Sequence, residues 1–172
     1  SPRENQQYEA YREIDTFAGD DGVKIRTFDL GPEQAFGPGN SREKNPALGL
    51  RAIRLSLSNV RQFRTQIRAL LRASYKTKVD IVIPMVAGVR EMLEVREIVA
   101  KESEALRSRG FTIGTPRIGA MIEVPSAVLL ADEIVGESDF ICLGTNDLVQ
   151  YLLAVDRDNE AVAGWFRTLH PA

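Results

Sequence analysis

Cysteine and histidine each occur once in the 172 residues. A single cysteine excludes an intramolecular disulfide framework, and one cysteine with one histidine excludes a Cys/His zinc site. A reducing, intracellular compartment is the natural expectation. Charge of either sign is not in excess: 22 Lys and Arg against 24 Asp and Glu leave a net −2. There is thus no general attraction to nucleic acid or an acidic membrane surface, and anion binding must come from a local cluster. No apolar run approaches the ~20 residues of a membrane helix, and no charged start followed by an apolar core marks a signal peptide. A cytoplasmic location with no nucleic-acid or membrane partner is expected. What is present suffices for a real core: 44% hydrophobic and 27% charged residues suit one globular domain over residues 1–172.

Tyr8, Tyr11, Ile14 and Phe17 recur at helical spacing and predict an amphipathic helix from about Glu4 to Ala18. Asp20-Asp21-Gly22 ends it, and Val23 to Phe28 reads as a short strand. Pro32 to Pro46, rich in Gly, Pro, Asn and charge, reads as a long loop, a length that is usually functional or mobile. A helical turn is expected near Leu50 to Arg54. A longer helix follows from Asn59 to Ser74, with Val60, Phe63, Ile67, Leu70 and Leu71 on one face. On that helix Arg61, Arg64, Arg68 and Arg72 read as a solvated face. Val79 to Met85 is nearly continuous apolar sequence, as in a parallel strand covered on both sides.

A helix from Val89 to Leu106 comes next, ending before Gly110. Strands are then expected at Ile118 to Val124 and Phe140 to Gly144, each followed by a helix, Pro125 to Val135 and Asn146 to Ala154. The order is one helix and then four strand-helix units, which implies an α/β fold with a parallel sheet and right-handed crossovers. Four units are half of the eight that close a (β/α)8 TIM barrel, and a full barrel typically needs ~250 residues. Counting alone therefore makes a partial barrel an open reading.

Two acids stand at the ends of apolar strand runs: Glu123 before Val-Pro-Ser, and Asp147 after Gly-Thr-Asn. Strand ends that run straight into helices are where parallel α/β proteins present ligands and catalytic groups. Two readings stand. The pair shares a hard, oxygen-seeking cation such as Mg²⁺, or each acid caps a helix or pairs with an arginine. Arg26, Arg51 and Arg157 follow or terminate apolar segments and could meet at the same rim, where guanidinium groups recognise phosphate or carboxylate. Asn146 either contacts a ligand or caps the helix. Arg54 stays open. Cys142 reads as a small core residue, His170 as a surface residue, and Trp165, Phe166 and Leu169 as cover for a core edge or, in a truncated chain, as exposed side chains.

Met121-Ile-Glu-Val-Pro-Ser-Ala and the run from Gly144-Thr-Asn-Asp to Ala154-Val-Asp-Arg157 carry a resemblance, with Arg26-Thr-Phe-Asp29 and Asn45-Pro-Ala-Leu-Gly-Leu-Arg51-Ala-Ile-Arg54. Together, in collinear order over almost the whole chain, they resemble the phosphoenolpyruvate-binding barrel of the phosphoenolpyruvate-protein phosphotransferase family, in its sugar or nitrogen-regulatory branch. The resemblance implies an enzyme that moves phosphate from phosphoenolpyruvate to its own histidine and on to a phosphocarrier protein. It implies Mg²⁺ held by Glu123 and Asp147, substrate held by Arg26, Arg51, Asn146, Asp147 and Arg157, and a homodimer. It also implies that the phosphorylated histidine, a further arginine and the cysteine that protonates the enolate lie in segments outside this chain, so no catalytic residue is assigned here. The chain alone is then expected to be inactive.

Where the family usually continues Gly-Gly-Asp-Lys after the aspartate, this chain has Leu30-Gly31-Pro32-Glu33 and lacks the lysine. Alternatives that place acids at a similar rim are a pyruvate phosphate dikinase or phosphoenolpyruvate synthase relative and a metal-dependent pyruvate-enolate aldolase. A non-catalytic, self-associating module is the alternative of another class, because a half barrel leaves open sheet edges.

Overall fold

A computed structural model describes residues 3–31, 37 and 43–172. Its elements in chain order are α1 (Glu4–Ala18), β1 (Val23–Arg26), α2 (Ala52–Ser58), α3 (Val60–Ala73), β2 (Val79–Ile83), α4 (Val89–Ser108), β3 (Ile118–Ile122), α5 (Pro125–Leu129), α6 (Ala131–Gly136), β4 (Phe140–Leu143) and α7 (Thr145–Leu153). Of the loop expected from Pro32 to Pro46, residues 32–36 and 38–42 lie outside the described residues, and Pro46 opens a 3-10 turn, Pro46–Leu48.

The four strands pair in parallel in the order β1-β2-β3-β4. Strands that add side by side in chain order, with crossovers of one hand, place their helices on one face of the sheet. A doubly wound sheet would instead reverse its order at a switch point. The winding is that of a (β/α)8 barrel, and the sheet is open, with β1 and β4 as its edges.

The core lies between sheet and helices. Ile25, Ile81, Ile83, Ile118, Ala120 and Ile122 from the strands meet Tyr11 of α1, Phe63, Ile67, Leu70 and Leu71 of α3, and Met92 and Val95 of α4. Every residue of β2 is buried, as its continuous apolar run requires. The other face of the sheet is mixed in character. Register sets Lys24 beside Asp80, and Gly119 beside Phe140. Asp80 accepts from Arg117 Nη2 at 2.6 Å, and the Lys24 ammonium lies 5.5 Å from the Phe140 ring centre. Gly119 leaves room there for the Phe140 ring, which a Cβ would force to shift.

Several expectations are corrected. The strand from Val79 stops at Ile83 because Met85 turns to φ 59°. The helix expected over Pro125 to Val135 breaks at Leu130 (φ −105°, ψ 23°) into α5 and α6. Of the two readings for Trp165 and Leu169, exposure holds: they are 72% and 96% exposed and cover no core edge among the described residues. Cys142 is only half-buried, because β4 is an edge strand.

Among the arginines of α3, Arg61 is exposed as a solvated face requires, but half-exposed Arg64 and the less exposed Arg68 and Arg72 reach acids on neighbouring helices. Glu102 of α4, 2% exposed, receives Arg64 Nε and, at 2.9 Å, Arg68 Nη1. Glu4 of α1 receives Arg68 Nε at 2.7 Å and Arg72 Nη1 at 2.8 Å. Three helices are thereby tied by charge-assisted hydrogen bonds. Burial alone pushes the Glu4 carboxyl up, but the bonds from Arg68 and Arg72 outweigh it and hold it below its ordinary value. Among the described residues no helix is long and apolar enough to cross a membrane.

Candidate functional site

The C-terminal ends of all four strands open onto one rim. β1 ends at Arg26, and three residues later Asp29 faces Arg51, the residue that starts α2. Arg51 grips Asp29 through two nitrogens: Nη2 lies 2.8 Å from Oδ2 and 2.9 Å from Oδ1, and Nε lies 3.1 Å from Oδ1. Arg26 Nη1 stands 3.6 Å from the same carboxylate. Burial alone lowers the Arg51 pKa, but the hydrogen bond and charge of Asp29, with help from Tyr151 and Asp147, raise it above the ordinary value. Arg51 is therefore a fixed positive charge.

Arg51 also reaches the neighbouring groups. Nη2 is 3.9 Å from Asp147 Oδ2, and Nη1 donates to the Tyr151 hydroxyl at 3.3 Å. Tyr151 in turn donates to the Ala47 carbonyl at 2.5 Å, tying α7 to the turn before Arg51. Ala154, left-handed at φ 53°, ends α7 and turns the chain back. The return is secured where Arg157 N–H donates to Gln150 Oε1 at 2.9 Å. That brings Arg157 Nη1 to 3.2 Å from Asp147 Oδ1. The approach is off-angle, so Oδ1 is buried with a charge partner but no hydrogen-bond donor.

Glu123 follows β3 and is 1% exposed. Its Oε1 accepts from the Met85 amide at 2.6 Å, which the left-handed turn of Met85 aims at it. A bulky side chain at positive φ is a strained conformation that clusters at functional sites. Gly144 packs against the other side, where a Cβ would collide with the Glu123 carboxylate. The Glu123 pKa is raised to about 7: burial is the largest cause, the Met85 amide works against it, the charges of Asp147 and Asp29 add to it, and Arg26 works against it.

The geometry thus brings together Arg26, Arg51, Glu123, Asp147 and Arg157, all singled out from sequence. Asn146 is exposed at the second position of α7 and does not cap it, because the cap position is Gly144. Asp29, Gln150 and Tyr151 had been overlooked as parts of the site. Asp29 had a readable signal, an acid three residues after a strand-end arginine; Gln150 and Tyr151 had none beyond helical spacing. Among the described residues no group of three or more His, Cys, Asp or Glu side chains is disposed to hold a metal ion.

Residues 1–172 match the family described as PEP-utilising enzyme, PEP-binding domain. The chain is 46% identical over 176 residues to a phosphoenolpyruvate-protein phosphotransferase of Cupriavidus necator, and 42% over 173 residues to one of Staphylococcus aureus. These alignments cover 99% of the chain, which spans 30% of the length of each relative. A citrate lyase structure from Burkholderia xenovorans overlaps 91% of this chain and 40% of that one, at 14% identity and a TM-score of 0.43.

Proposed function

The chain belongs to the PEP-binding domain family of PEP-utilising enzymes, and from that premise we propose that it is the phosphoenolpyruvate- and Mg²⁺-binding portion of a phosphotransferase. The full reaction moves phosphate from phosphoenolpyruvate to an enzyme histidine and on to a phosphocarrier protein in the cytoplasm. The observation that carries this reading is the convergence of Arg26, Arg51 and Arg157 on Asp29 and Asp147 beside buried Glu123.

Phosphoenolpyruvate carries a phosphate and a carboxylate, and guanidinium forks match both. In the proposed role Arg26, Arg51 and Arg157 hold these groups, and exposed Asn146, next to Asp147, contacts the substrate. Their fixed charges oppose the negative charge that accumulates on the phosphoryl oxygens and the enolate. Asp29 and Tyr151 keep the Arg51 fork in one orientation, and Met85 and Gly144 do the same for Glu123.

Glu123 and Asp147 fit Mg²⁺. Both are hard oxygen donors, each is buried, Asp147 Oδ1 lacks a donor, and their like charges raise the Glu123 pKa. Two carboxylates are sufficient, because Mg²⁺ keeps several waters and takes further oxygens from a phosphate substrate. When bound, the ion supplies neutralising charge for the phosphoryl group. The chain's own histidine, His170, is exposed near the end of the sequence. The acceptor histidine and the acid for the enolate are assigned to other parts of a longer protein, which leaves this chain a binding module without turnover.

Titration calorimetry with phosphoenolpyruvate tests the reading. Wild type is expected to give binding heat only with Mg²⁺, and Glu123→Ala is expected to lose it. Equal heats with and without metal in both proteins would overturn the assignment. We also propose that the chain self-associates, since Ile141 and Leu143 on the open edge strand β4 are 45% and 66% exposed. A concentration-independent monomer in light scattering rejects that.

A further inference from the structure

Away from the rim, beside the segments that lead into β2 and β3, the surface holds a cleft of about 450 Å³. Small-molecule sites occupy this range of volume. Its walls include Tyr8 and Arg12 of α1, Arg72 of α3, Tyr75 and Lys76 just beyond α3, and Phe111 after α4. Three aromatic rings and three cations meet there, and no carboxylate is among the lining residues.

The cations differ in how far they are committed. Arg72 is spent on the fold: its Nη1 is 2.8 Å from both Glu4 Oε1 and Asn5 Oδ1, and its guanidinium carbon lies 4.5 Å from the Tyr8 ring centre and 5.1 Å from that of Phe111. Arg12 has a loose pairing with Asp15 at 3.8 Å. Lys76 has no ion pair among the described residues, and its ammonium sits 5.3 Å from the Tyr75 ring centre. Its backbone is left-handed at φ 54°, an unusual conformation for a long side chain. Tyr75 is 40% exposed, which leaves ring surface for a ligand.

An uncommitted ammonium and a loosely held guanidinium call for a multiply charged anion. A partly bare aromatic ring beside them calls for a flat group joined to that anion. We propose that this cleft binds a nucleoside diphosphate, with its phosphates on Arg12 and Lys76 and its base against Tyr75. The proposal does not rest on the role of the rim.

Titration calorimetry of the chain with ADP at low salt tests it. ADP is expected to bind, inorganic phosphate to bind at least about tenfold more weakly, and Lys76→Ala and Tyr75→Ala each to weaken ADP by about tenfold. Lys76→Gly removes the ammonium while relaxing the left-handed backbone, so the same weakening with an undiminished melting temperature separates lost charge from lost fold. Saturating phosphoenolpyruvate is expected to leave the ADP heats unchanged. The proposal is overturned if ADP gives no heat, if phosphate binds as tightly as ADP, if the Lys76 and Tyr75 variants bind ADP like wild type, or if phosphoenolpyruvate displaces ADP.

Discussion

Glu102 and Glu123 are equally hidden from water, at 2% and 1% exposure, yet their surroundings are opposite. Glu102 lies between two guanidinium groups that clamp α3 to α4. Glu123 has one backbone amide, and the charges of Asp147 and Asp29 act against its own. Burying a carboxylate is costly unless its charge is met. In the helix network the chain meets that charge itself. At the rim it leaves the charge of Glu123 largely unmet, and that difference is what supports the proposed cation there.

The comparison breaks most visibly at Glu102. Glu102→Ala leaves Arg64 and Arg68 without their shared partner and is expected to cost about 3 kcal/mol, the lower end of the range for breaking a buried pair, because Arg64 is half exposed. Urea denaturation read by circular dichroism measures it, and a loss below about 0.5 kcal/mol would place the network among inert surface pairs.

Glu123→Gln is expected to act in the opposite direction. A carboxyl with a raised folded pKa stabilises below its unfolded value, here 4.5, and that stability is lost as pH rises through the folded value of about 7. The metal-free chain should therefore lose on the order of 2–3 kcal/mol between pH 4.5 and 8 through this group. Glu123→Gln should flatten that part of the profile and be more stable than wild type at pH 8. Thermal melts across the range, with and without Mg²⁺, read the effect; a variant with the same pH slope as wild type removes Glu123 as its source.

Arg51→Lys tests the rim from its cationic side. A lysine keeps the charge but not the two-nitrogen grip on Asp29, so phosphoenolpyruvate binding should weaken by about tenfold, measured by the same calorimetry. Binding within a factor of two of wild type would show that charge alone suffices. Smallest is Tyr151→Phe, which loses the hydrogen bonds to Arg51 and Ala47 and should cost about 1 kcal/mol of stability. A melting temperature unchanged by this variant would remove Tyr151 as a tie between α7 and the turn at Ala47.

The fold was legible where burial is two-sided. The nearly continuous apolar run at Val79 carries the pattern of a strand covered on both sides, and the acids ending the next two runs emerge at one rim because the sheet is parallel. What escaped the sequence depends on partners far along the chain. Arg64, Arg68 and Arg72 recur at helical spacing, as solvated arginines also do; their acids, Glu4 and Glu102, sit 34 to 68 residues away in the hydrogen bonds they make. Met85 follows Pro84, which signals a turn, but neither glycine nor asparagine occupies the left-handed position itself. For Trp165 and Leu169 two readings, cover for a core edge or exposure, stay open in the sequence, because hydrophobicity says a side chain prefers cover without saying that cover is at hand.

The sequential strand order also sets a timetable. Val23 pairs with Val79, Ile81 with Ile118 and Gly119 with Phe140, so the chain length to be closed falls from 56 to 37 to 21 residues along the sheet. Loop-closure entropy grows with the logarithm of that length, which makes docking of the first strand roughly 0.9 kcal/mol costlier than docking of the last. During refolding of the whole chain β2, β3 and β4 can assemble before β1 joins. The segment that carries Arg26 and Asp29 to Arg51 then arrives last, and the rim proposed to hold an anion comes into being at the closing step of folding.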